Sequence, residues 1–134
     1  METIYVTDKD YQRLHQVVQV QRKSSGPLVV EALSRELKRA QVVPAQQIPA
    51  DVITMNSQVR LKDLKSDLTM DLAIVYPKDA NMNTKKVSVL APVGTAVLGC
   101  KVGDQVKCAM GKGSATYMIE KLLYQPEAAG DFNS

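Results

Sequence analysis

The chain has 134 residues, 45% hydrophobic and 23% charged, with a net charge of +3 from 17 basic and 14 acidic side chains. That supports one ordinary core, or a small core with a protruding element, in a soluble globular chain. The charge forms no concentrated basic stripe, which argues against direct sequence-specific nucleic-acid binding, and no run approaches the roughly 18–20 apolar residues of a membrane span.

The opening residues METIYVTDKD lack the basic start and apolar run of a secretory signal. From residue 8 to about 22, Tyr11, Leu14, Val17, Val18 and Gln21 trace one helical face. Thr7 is placed to cap that helix, with Asp10 three residues on in a capping-box-like arrangement. Lys23, Ser24, Ser25 and Gly26 break the pattern, and Pro27 restarts a helix to about residue 41 through Leu28, Val29, Ala32, Leu33, Leu37 and Ala40. Two amphipathic helices joined by four or five residues form an antiparallel hairpin. At about 1.5 Å per residue such an arm is roughly 22 Å long.

Residues 44–50 (PAQQIPA) read as a Pro-bounded linker. The expected organisation is a hairpin over 1–43, a second domain over 51–126 and a loose polar tail over 127–134. Strands are expected at 58–63, 68–76, 86–88, 104–110 and 115–124, with turns at 63–67 and 111–114 and a polar loop at 77–84. Between two of these strands Pro92, Val93, Ala96 and Val97 signal a short helix, and Gly99 suits the left-handed residue that ends it. A strand-rich antiparallel sheet carrying one short helix is an α+β domain.

Little in the chain is suited to chemistry. His15 is the single imidazole and reads as a flank residue of the hairpin stripe, while Cys100 and Cys108 lie eight apart with no second ligand pair. A structural zinc site needs about four nitrogen or sulfur ligands, so no metal or other cofactor is expected. Without an export signal the two cysteines read as reduced thiols, and the expected location is the cytoplasm. The stretch from Gly94 to Gly99 echoes a phosphate loop but is followed by Cys100, with Lys101 one place late and no hydroxyl after it. The Gly111-Lys112-Gly113-Ser114 run reads as a tight hairpin turn rather than a phosphate cradle.

The run SVLAPVGTAVLGCKVGDQV, residues 88–106, resembles the C-terminal domain of the Gre-type transcript cleavage factors. RELKRAQVV (35–43) resembles the end of their second hairpin helix, and VITMNSQVRLKDL (52–64) the lead into their sheet domain. MNSQVRL, VYP and YQPEAAGDF are nearer to a subgroup of regulators within the same superfamily. The resemblance implies a helical hairpin followed by an FKBP-like sheet domain. Prolyl isomerisation does not come with that likeness, because the aromatic walls of such a pocket are missing and fold alone carries no activity.

In the resembling factors a longer hairpin enters the secondary channel of RNA polymerase, and two acidic residues at its tip hold a catalytic Mg²⁺. Here the tip, 21–27, carries Arg22, Lys23, Ser24 and Ser25 and no carboxylate. Glu31 lies more than a turn away, and Glu36 points about 140° around the helix from it. Transcript cleavage is therefore expected to be absent. The residues equivalent to Ala91, Pro92, Val93 and Gly94 lie, in those factors, against the coiled-coil rim of the secondary channel. Pro92 can equally be a plain helix starter, and the two roles are compatible. The expectation is a non-catalytic, monomeric chain that binds RNA polymerase at the rim and competes with cleavage factors. The alternative is a cytosolic adaptor for nucleotide-metabolism enzymes such as nucleoside diphosphate kinase, acting through the hairpin stripe.

Overall fold

The computed structural model describes residues 4–110 and 113–130. The chain starts with β1 (Tyr5–Thr7), which runs straight into α1 (Asp8–Ser25); α2 (Pro27–Arg39) follows and leads into β2 (Gln41–Val43). β1 and β2 pair in parallel, Tyr5 opposite Gln41 and Thr7 opposite Val43. The pairing draws the outer ends of the two helices together, so the helices run out and back. Thr7 caps α1 by accepting from the Asp10 N–H at 3.1 Å.

The connection is shorter than the sequence suggests. Gly26 alone joins the helices, with φ +92° and ψ 165°, a conformation that is in practice restricted to glycine. Lys23, Ser24 and Ser25, expected with Gly26 in a four- or five-residue loop, instead continue α1 past Arg22 as its last turn. Their polarity suggests a loop, but Gly26 supplies the whole reversal and leaves them free to continue the helix. At about 1.5 Å per residue α1 extends roughly 27 Å and α2 roughly 20 Å.

After the 44–50 segment come β3 (Gln58–Asp63), β4 (Thr69–Val75), β5 (Lys86–Ser88), α3 (Pro92–Val97), β6 (Gln105–Met110) and β7 (Gly113–Tyr124). The sheet order is β5-β4-β3-β7-β6. The sheet is mixed rather than antiparallel, because β5 runs parallel to β4, Ala73 opposite Lys86 and Val75 opposite Ser88. The 77–84 loop crosses over between them, long enough to return the chain to the starting end. The turn at 63–67 forms as expected, with the Asp63 carboxylate accepting from the Lys65 and Ser66 N–H groups. The turn expected at 111–114 falls partly outside the described residues; the strands it joins pair up to Met110 opposite Gly113.

Alternation along β3 and β7 buries Val59, Leu61, Tyr117 and Ile119 on one face. That face and the helices share one apolar cluster, in which Leu14, Val18, Val30, Leu33 and Leu37 join Ile53, Met55, Ile74, Val97 and Leu98. Each such side chain contributes about 1.5–3 kcal/mol by leaving water. Gly99 closes the contact between the two parts. It lies at φ +79°, its carbonyl accepts from Tyr5 N–H at 3.1 Å, and a Cβ there would sit 2.8 Å from that of Ile4.

The last residues of the 51–126 segment and the first residue of the tail are anchored to the sheet domain. Gln125 is buried and its Nε2 donates to the carbonyls of Pro49 and Val52, at 2.8 and 2.6 Å. Pro126 is buried beside it, and Glu127 accepts from the Thr54 hydroxyl at 2.7 Å. A polar composition conceals this because the polar groups are satisfied by backbone rather than by water. Residues 131–134 of the expected tail lie outside the described residues. Among the described residues no helix is long and apolar enough to cross a membrane.

Candidate functional site

The α3 region is shaped by a few local bonds. Ala91 is extended before Pro92, whose missing N–H is harmless in a first turn. The Thr95 hydroxyl donates to the Val89 carbonyl at 2.6 Å, and Leu90 N–H donates to the Ser88 hydroxyl at 3.1 Å. Gly94 is packed so closely that a Cβ would collide with the Ser88 carbonyl oxygen. Of the four docking residues proposed from sequence, Pro92 is exposed, Ala91 and Val93 are half-buried and Gly94 is buried. Gly94 is therefore not a surface contact; it lets α3 lie down on β5.

Pro92 also lines a groove of about 660 Å³ between α2 and the sheet domain. Leu28, Ala32, Arg35 and Arg39 form the α2 wall, and Leu90, Ala96, Cys100 and the β6 residues 105–108 form the other. Nothing in the spacing of the sequence reveals this wall, because it depends on how the helix pair tilts onto the sheet. Cys100 is half-buried, with its Sγ near the Ala96 carbonyl at 3.4 Å. Cys108 is buried, and burial pushes its thiol pKa up, away from the reactive thiolate.

At the far end of the helices Arg22, Lys23, Ser24 and Ser25 are all exposed. Ser24 turns its hydroxyl back to the Val20 carbonyl at 3.1 Å, and Ser25 to Gln21 at 3.4 Å. The acids of α2 are committed elsewhere, Glu31 to Arg35 at 3.2 Å and Glu36 to Arg39 at 2.7 Å. Among the described residues no group of three or more His, Cys, Asp or Glu could hold a metal ion. His15 is exposed on α1 and stacks edge-on against Tyr11, ring centroids 4.6 Å apart.

A buried polar cluster at the base of α1 was not legible in the sequence. Asp10 is only 6% exposed. Its carboxylate accepts from Met55 N–H at 3.2 Å and from the Tyr76 hydroxyl at 3.4 Å, tying α1 to the sheet domain. Burial is the main force pushing its pKa up to about 6; the nearby Glu127 charge adds to this and the Met55 N–H opposes it. Burial, followed by the Asp10 charge, raises the Tyr76 phenol above its ordinary value. The capping-box pattern suggested a purely local role for Asp10, which masked this one.

Comparison with known proteins accounts for both halves of this arrangement. The description "Transcription elongation factor, GreA/GreB, C-term" matches residues 48–124, the segment holding the sheet and α3. The chain belongs to the GreA/GreB family. "Rnk N-terminus" matches residues 3–43, and this pairing places the chain in the Rnk branch of that family. The regulator of nucleoside diphosphate kinase of Escherichia coli K12 is 38% identical over 131 residues, 97% of this chain and 96% of its own length. Transcription elongation factor GreA of Clostridium beijerinckii is 37% identical over 87 residues, 65% of this chain but 54% of its own, so the chain spans about half of that relative. Among solved structures, a GreA/GreB factor from Nitrosomonas europaea superposes with a TM-score of 0.75 at 35% identity, covering 90% of this chain and 99% of that one. Gfh1 of Thermus thermophilus shares the fold, with a TM-score of 0.51 at 23% identity over 92% of this chain and 100% of its own.

Proposed function

We propose that the chain is a non-cleaving regulator of transcription. It docks on RNA polymerase at the coiled-coil rim of the secondary channel and competes there with Gre cleavage factors. The observation that carries this reading is the pairing of a Gre-type C-terminal domain with a helix tip that presents Arg22 and Lys23 and no carboxylate. Hard divalent cations are held by carboxylate oxygens, and two positive charges repel them. The FKBP-like sheet domain over 51–126 is the anchor, joined through 44–50 to the helical finger over 1–43. α3 makes the contact through Pro92, with Ala91 and Val93 beside it. The finger, roughly 27 Å at its longer helix, fills the channel mouth without reaching the active centre. In this reading the protein is a cytoplasmic monomer that needs no cofactor.

Pull-down of core polymerase with wild type and with Pro92→Asp tests the contact. Loss of binding with retained fold is expected, and equal binding of the two would remove α3 from the interface. A second reading, regulation of nucleotide-metabolism enzymes by direct contact, is favoured by the name of the Escherichia coli relative. Its proposed contact face is largely used up internally, since Leu14, Val18, Leu33 and Leu37 are buried.

A further inference from the structure

Among the described residues β6 is an edge strand, with β7 on one side and no strand on the other. The direction of its main-chain groups follows from its neighbour. Ile119 turns both of its groups towards the β6 side, its N–H donating to the Asp104 carbonyl at 2.9 Å and its carbonyl accepting from Gly103 N–H at 2.8 Å. Asp104 lies in register with Ile119, one step before the Gln105–Met118 pair. In an antiparallel ladder such pairs alternate, so Val106 and Cys108 bond to β7 while Gln105 and Lys107 direct N–H and C=O outward. That outward edge opens into the groove between α2 and α3, which all four residues 105–108 line. Gln105 and Lys107 are exposed, and Lys107 forms no ion pair among the described residues.

We propose that this edge takes an extended segment of a partner protein as an added strand. An added strand places alternate side chains on the two faces of the sheet. On the face of Val106 and Cys108 they meet Leu90 and Ala96, together with Leu28, which is 82% exposed. On the other face they meet Lys107. The segment that fits is one of alternating apolar and acidic residues. The site adjoins the polymerase contact proposed above, since Pro92 lines the same groove, but strand addition is tested without polymerase and does not depend on that reading.

The test uses the full chain and a short capped peptide alternating valine with glutamate, read by amide hydrogen exchange and by titration. The Lys107 amide is expected to exchange freely in the dilute protein and to become protected at least about tenfold with peptide. Lys107→Pro removes the outward N–H at a position where an edge strand tolerates proline, and should weaken binding about tenfold, whereas Lys107→Ala should retain it within about threefold. Three results would overturn the proposal. One is a Lys107 amide already protected in the dilute protein, and another is no protection at millimolar peptide. The third is protection that grows with protein concentration alone, which would assign the edge to a second copy of this chain. The wild-type exchange decides even if the proline variant does not fold.

Discussion

Replacing Asp10 by Asn removes a buried titrating carboxyl while keeping an oxygen to accept a hydrogen bond at the base of α1. In the folded protein the Asp10 pKa rises from 3.8 to about 6. A raised carboxyl pKa means the folded state binds the proton more tightly than the unfolded chain does. Stability from this group is therefore present below about pH 4 and is lost as pH climbs through about 6. The rise from 3.8 to about 6 corresponds to about 3 kcal/mol. Urea unfolding of wild type and Asp10→Asn across this window isolates the group, because every other carboxylate is common to both. The stability of wild type relative to the variant should fall by about 2–3 kcal/mol between pH 4 and pH 7. A difference that stays constant with pH would refute the reasoning, and with it the role of burial at Asp10.

Two further changes probe how the parts are held together. Gly99→Ala places a Cβ against Ile4 and Tyr5 at φ +79°; backbone strain and the lost Tyr5 hydrogen bond should cost about 2–3 kcal/mol in urea unfolding. Leu33→Ala empties a fully buried position shared by the helices and the sheet domain. It should cost about 2–5 kcal/mol in a single cooperative transition, and separate melting of helices and sheet would contradict the shared core.

Periodicity and punctuation made most of the secondary structure readable. Pro92 and Gly99 bound α3 because one residue lacks a donor and the other tolerates positive φ, both local properties. The strands at 58–63 and 86–88 were legible from alternating and bounded apolar residues. What escaped depends on distant partners. β1 and β2 have three residues each, too few for a period, and exist only because they pair with each other. Asp10 looks like a capping residue until Met55 and Tyr76 arrive from the sheet domain. Gln125 reads as a plain polar residue past the last strand until it meets two carbonyls more than seventy residues earlier. At the candidate site the lack of a tip carboxylate was plain from residues 21–27. The groove wall contributed by α2 was not, because helix tilt leaves no local signature.

Competition with a GreA-type cleavage factor for purified core polymerase, run alongside Mg²⁺-dependent cleavage of backtracked RNA, tests the account most directly. The protein should displace the cleavage factor, suppress its cleavage and release no RNA fragment of its own. Simultaneous binding of both proteins, or cleavage by this chain alone, would contradict it.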